Sequence, residues 1–192
     1  MEKQRLILVL DAQGGGMGAQ LVRMLAPQLP ADCELLAVGT NVLATNAMIK
    51  AGASRGATGE NAVVYNAERA DLILGPIGVI LANGILGEVS PRMACAVSGA
   101  AGQKILIPSS HCSVQVAGTQ DCRMEEYLQS AVALALRALE GGARRYFPGR
   151  KPCWRRPASW PGARPPRCWP STGAAAAGKP PWLPGWRGSC PA

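Results

Sequence analysis

The chain has 192 residues and a formal net charge of +8, which points to a nucleic-acid or anionic-surface binder until the charges are located. All 12 Asp+Glu fall before residue 148 together with 12 of the 20 Lys+Arg, so residues 1–147 are neutral and the basic excess belongs to the remainder. No run of about 18 apolar residues is present to span a bilayer, and the first residues lack the basic start and apolar stretch of a secretory leader, so a reduced cytoplasm is the expected compartment.

In chain order, short apolar runs alternate with amphipathic stretches. "RLILVLD" at 5–11 is apolar up to Asp11, the pattern of a strand covered on both faces. "AQLVRMLAPQL" at 19–29 sets Leu21, Val22, Leu25 and Leu29 on one helical face. "CELLAVGTN" at 33–41 predicts a second strand, and "VLATNAMIKAG" at 42–52 a helix stopped by Gly52. Within "GENAVVYNAERADLILGPIG" at 59–78, a helix over 60–70 is expected because Val63, Ala67 and Ala70 share a face; a strand at "AVVYN" is the alternative. "DLILG" is then the third strand. Ser90 and Pro91 mark a helix start within 90–102, as cap and first-turn residue. "KILIP" at 104–108 reads as a fourth strand, "SVQVAG" at 113–118 as a fifth, and "MEEYLQSAVALALRALEGG" at 124–142 as a closing helix. Strands separated by helices of this length predict an α/β, Rossmann-like, doubly wound domain over residues 1–146, with a mostly parallel sheet of four to five strands.

Residues 147–192 differ in kind. All 5 Trp and 11 of the 16 Pro lie there without helical or strand periodicity, so a disordered C-terminal tail is expected. One reading is an out-of-frame end, since Pro, Arg, Gly, Ala and Trp are what GC-rich codons yield in a shifted frame. A proline-rich interaction tail and a basic, Trp-bearing arm for single strands are the others. No function is placed in the tail, and no nucleic-acid partner is expected for the domain. The 7 Cys are scattered and include no Cys-x-x-Cys pair, and His111 is the single histidine, so neither a metal site nor a redox dithiol is indicated.

In an open parallel sheet, ligands bind outside the carboxyl ends of the strands, where the chain order reverses. The informative segments are therefore "DAQGGGMG", "GTN", "GPIG" and "PSSHC". In the first, glycines let a ligand oxygen approach the backbone without meeting a Cβ, and the amides opening the next helix point at an anion. Gly14, Gly15, Gly16 and Gly18, with Asp11 and Gln13, are thus expected to hold a phosphate, the alternative being a merely tight turn. Replacing Gly16 or Gly18 by a bulky residue is expected to abolish binding and leave the fold intact. The match to G-x-G-x-x-G is imperfect, because Gln13 stands where the first glycine belongs. The acid that ordinarily holds a ribose after the second strand is also missing, so a conventional NAD site is not expected.

Thr40 or Asn41 can cap the following helix; the functional reading has Asn41 and Thr45 bonding a ribose or base. Glu60, beside Asn61, can hold a hydroxyl or act as acid or base, whereas its bland role is to meet a helix dipole. Gly75 and Gly78 shape a strand exit, Asn83 and Glu88 interrupt apolar surroundings, and His111 reads as a strand-exit residue.

"LVLDAQGGGMGAQLV", "AVGTNVLATNAMIKAGASRGATGENAVVYNA" and "ADLILGPIGVILANGILGEVSPRMA" together resemble an uncharacterised family of short bacterial, Firmicutes-type proteins, a domain of unknown function, number 3842. The likeness runs over residues 5–140. It implies the fold and an end near the final helix, and no reaction; Ala12 stands where the family pattern has a glycine. The expected function is binding of a nucleotide, dinucleotide or other phosphate-bearing small molecule through residues 14–18. The rivals are a small enzyme using Glu60, Glu88 or Asp11 as acid or base, and a non-catalytic regulatory or scaffold subunit.

Overall fold

Seven residues from Arg5 to Asp11 form the central strand β1, and all but the first are buried, as their unbroken apolar character requires. The computed structural model describes residues 4–109, 114–117, 119 and 122–141; the expected tail, with His111, lies outside these. After β1 come α1 (Gly16–Leu25), β2 (Cys33–Gly39), α2 (Val42–Lys50), β3 (Arg55–Thr58) and α3 (Glu60–Arg69). β4 (Leu72–Pro76), α4 (Pro91–Gly99), β5 (Gln103–Ile107) and α5 (Met124–Glu140) complete the described strands and α-helices. The five strands are all parallel, in the order β3-β2-β1-β4-β5. This is a doubly wound α/β sheet of Rossmann type.

Alternation along the strands divides the core into two layers. Ile7 and Val9 of β1 meet Leu21 and Leu25 of α1, Met48 of α2 and Leu128 and Val132 of α5. Leu6, Leu8 and Leu10 face the other way, onto Val63 and Ala67 of α3 and Met93 and Val97 of α4. Each Val, Leu, Ile or Met among them, fully buried, contributes about 1.5–3 kcal/mol. α1 buries Gly18, Leu21, Val22 and Leu25, an i, i+3, i+4, i+7 stripe. α4 starts where Ser90 accepts the Met93 amide and Pro91 occupies the first turn. Arg5 clamps the near end of the sheet, pairing with Asp32 at 2.9 Å and donating to the Leu139 carbonyl of α5.

Two expectations need correcting. The fifth strand is Arg55–Thr58, not 113–118: residues 114–117 carry no strand, and β3 pairs with β2 from Leu36↔Arg55 to Gly39↔Thr58. It is a short edge strand with no buried residue, so no hydrophobic pattern announces it. "DLILG" is therefore the fourth strand in sequence, and "AVVYN" belongs to α3. Cys33 is a free thiol. No helix among the described residues is long and apolar enough to cross a membrane.

Candidate functional site

Chain order reverses between β1 and β4. α1 and α2 cover one face of the sheet and α3 and α4 the other. The loops leaving β1 and β4 therefore diverge, and a crevice opens between them. That crevice is a cleft of about 470 Å³. Asp11, Ala12, Gln13, Gly16 and Met17 form one wall, Pro76, Gly78, Ile85 and Leu86 the other, and Ser109 after β5 completes it.

The glycine loop turns sharply through left-handed backbone at Gln13 (φ 42°), Gly14 (84°) and Gly15 (72°). Gly15 must be glycine twice over, because a Cβ there would lie 2.6 Å from the Cα of Ala44 on α2. Following each loop amide shows how much of the expected cradle is open. The Gly15 amide bonds the Ala12 carbonyl at 3.0 Å, and the Gln13 amide bonds Glu88 at 3.2 Å. The Gly18 amide donates to Asp11 Oδ2 at 2.6 Å, and the Met17 amide also meets that carboxylate. Asp11 further accepts the Ala12 amide at 2.8 Å. Its carboxylate thus caps α1 from within, in the place the sequence reading gave to ligand. Among the described residues no hydrogen bond engages the amides of Gly14 and Gly16, both exposed, and Gly16 lines the cleft. The open part of the cradle is two amides.

Burial raises the Asp11 carboxyl above the ordinary aspartate value, against the lowering effect of the Gly18 and Ala12 amides. Glu88 shows the opposite balance. Its Oε2 accepts from Thr40 Oγ1 at 2.5 Å, Asn41 Nδ2 at 2.9 Å and the Gln13 amide. The Thr40 hydroxyl holds the Glu88 carboxyl below its usual range, and partial burial opposes it. Glu88 leaves the β4 side of the cleft, yet it ends against the β1 loop and the tip of β2. The segment bearing it therefore arches over the end of β1.

That segment is strained. Asn83 (φ 59°), Ile85 (52°) and Leu86 (55°) all have left-handed backbone without being glycine. Such backbone costs an ordinary side chain about 1–2 kcal/mol, least at Asn83 and most at the β-branched Ile85. Ile85 presses toward Gly78, where a Cβ would lie 2.8 Å from its side chain, while Leu86 is 91% exposed at the rim.

Other candidates are used elsewhere. Thr45 donates toward Asn41 O and Ala57 O and shares a 2.7 Å hydrogen bond with the Thr58 hydroxyl, tying α2 to β3. Asn41 caps α2, its Oδ1 accepting the Ala44 amide. Glu60 accepts from Ser90 Oγ at 2.6 Å and pairs with Arg92 at 3.2 Å, joining α3 to the start of α4. Asn61 is exposed on α3, and Gly75 sits where a Cβ would be 2.5 Å from the Leu10 carbonyl. None of these five lines the cleft. The apolar lining of Met17, Ile85 and Leu86 was not singled out from sequence, and no local pattern marks it. Among the described residues no cluster of His, Cys, Asp and Glu suits a metal ion.

Comparison with known sequences decides the family. The pattern of a domain of unknown function, DUF3842, matches residues 6–140. The chain belongs to this family. No curated protein matches. Among solved structures, the dodecameric FMN-dependent Ubix-like decarboxylase from Escherichia coli O157:H7 is 16% identical, with 76% of this chain and 100% of that one covered and a TM-score of 0.39. AibC is likewise 16% identical, over 77% of this chain and 42% of its own, with a TM-score of 0.36. Likeness at this distance carries no assignment of ligand to this DUF3842 member.

Proposed function

We propose that this protein binds a small phosphate-bearing molecule in the β1/β4 cleft. The phosphate meets the Gly14 and Gly16 amides, and the less polar remainder rests on Met17, Ile85 and Leu86. One observation carries the reading: the Gly16 amide, at the positive end of α1, has no acceptor among the described residues and opens on a cleft at the switch point of the sheet. Asp11 supports the site from behind, because its carboxylate fixes the Met17 and Gly18 amides and so the direction of the helix start.

A melting screen of the full chain against nucleotides, dinucleotides, sugar phosphates and inorganic pyrophosphate tests this. A ligand at 100 times its dissociation constant adds about 2.7 kcal/mol of stability. Gly16→Leu is the matched variant, since Gly16 is helical (φ −63°, ψ −43°) and a Cβ there meets nothing within 4 Å. The shift should vanish in Gly16→Leu while its unliganded melting point is not lowered. A shift that survives the change moves the site elsewhere, and no shift with any compound ends the proposal.

A further inference from the structure

Sequence left the tip of β2 without the acid that reads a ribose in dinucleotide-binding folds; the fold brings one there from 47 residues away. Glu88 stands against Thr40 and Asn41, the two residues that follow β2, and against the Gln13 amide of the glycine loop. We propose that Glu88, which does not itself line the cleft but holds the amide of its wall residue Gln13, is the hydroxyl-reading residue beside it, and that the ligand is a nucleoside phosphate, or another phosphate ester carrying a vicinal diol. This rests on the phosphate reading above and names the ligand class for it.

The arithmetic of acceptors supports the assignment. A carboxylate offers about four lone-pair positions, two on each oxygen. All three of the protein's donors converge on Oε2, and no hydrogen bond among the described residues uses Oε1. Oε1 thus has room for the two O–H donors of a diol. The three donors also hold the group as an acceptor and fix its position without occupying its other face. Gln13, whose amide Glu88 engages, is itself a wall of the cleft and lies three residues before Gly16 in the same turn. The proposed seat of the phosphate and the diol reader are thus joined through the same loop, Glu88 holding it at Gln13.

A second role is open to the same geometry and predicts the reverse outcome. If the Glu88 carboxylate fills the ligand's own anion seat, removing its charge tightens binding; if it reads a diol, removing its charge weakens binding.

Calorimetric titration of the full chain with the four ribonucleoside 5′-monophosphates, their 2′-deoxy and 2′,3′-dideoxy counterparts, and inorganic pyrophosphate separates these. A ribonucleotide should bind about 10- to 100-fold more tightly than its dideoxy counterpart, the range expected for hydrogen bonds to a charged group. Glu88→Gln, isosteric with the native side chain, should erase most of that preference and leave the dideoxy affinity unchanged. Thr40→Val, which removes a donor to Glu88 and leaves its charge, should reduce the preference to a smaller extent. Equal affinity of ribo and dideoxy forms for the native protein overturns the inference and leaves the phosphate reading standing, as does pyrophosphate binding without nucleotide binding. Tighter binding by Glu88→Gln also overturns it. Failure of every compound to bind overturns both.

Discussion

Gly18→Ala would put a methyl carbon 2.8 Å from the Asp11 Cβ and 2.6 Å from the Met48 sulfur. The sulfur ends a flexible side chain and can turn aside, but the Asp11 Cβ is fixed on the central strand. Forcing one methyl group into a filled core costs about 1–3 kcal/mol. Relief by moving Gly18 outward stretches its 2.6 Å amide bond to Asp11 Oδ2, a charge-assisted contact of about 1.5–3 kcal/mol. Exchanging a helical glycine for alanine returns about 0.5–1 kcal/mol. The net expectation is a loss of about 2–3 kcal/mol. Gly16→Ala, two positions earlier, adds a Cβ to open space on helical backbone and should gain about 0.4–1 kcal/mol. At about 2–4 °C per kcal/mol the two variants should melt roughly 5–15 °C apart, Gly16→Ala above the native protein and Gly18→Ala below it. Urea denaturation followed by circular dichroism, with differential scanning calorimetry alongside, measures both. Equal stability of the two variants, or a loss from Gly16→Ala, would refute the account of Asp11 as the internal cap of α1. The contrast also revises the sequence reading, in which either glycine was expected to accept a bulky side chain without harm to the fold.

Thr45→Val keeps the shape of the side chain and removes its contacts to Ala57 and Thr58. It should cost about 1–3 kcal/mol, with amide exchange rising first at Gly56–Thr58 of the edge strand β3. Leu86→Gly should gain about 1 kcal/mol in chemical denaturation, because the side chain is 91% exposed and its φ of 55° suits glycine; a loss would mean that Leu86 packs in solution. Asp11 and Glu88 should bend the stability curve in opposite directions. With its carboxyl raised by burial, Asp11 contributes stability that is present below the ordinary range near pH 4 and lost as pH rises through the raised value. With its carboxyl lowered by Thr40, Glu88 contributes stability that is present above about pH 4 and lost as pH falls through the lowered value. Urea midpoints from about pH 3 to 7 should show Asp11→Asn removing the first dependence and Glu88→Gln the second.

From the sequence by itself came the α/β class, the order of most elements and the glycine turn after β1. These follow from local causes: continuous apolar runs for buried strands, a helical stripe at Leu21, Val22 and Leu25, and Ser90-Pro91 opening α4. Edge strand β3 was illegible because nothing in "RGAT" is buried, so no periodicity records it. The site divided in the same way. That residues 11–18 form a sharp loop was legible; which of its amides remain open was not, because that depends on where the Asp11 carboxylate turns once β1 and α1 are packed. Glu88 and Asn41 are 47 residues apart and share a hydrogen bond only because β2 and β4 flank β1. Thr45 and Glu60 carry the polar chemistry of site residues, yet tertiary contacts commit them to β3 and to the start of α4. Local sequence sets backbone preference and burial pattern; which polar groups are left without a partner is set by long-range contacts that only the assembled sheet makes.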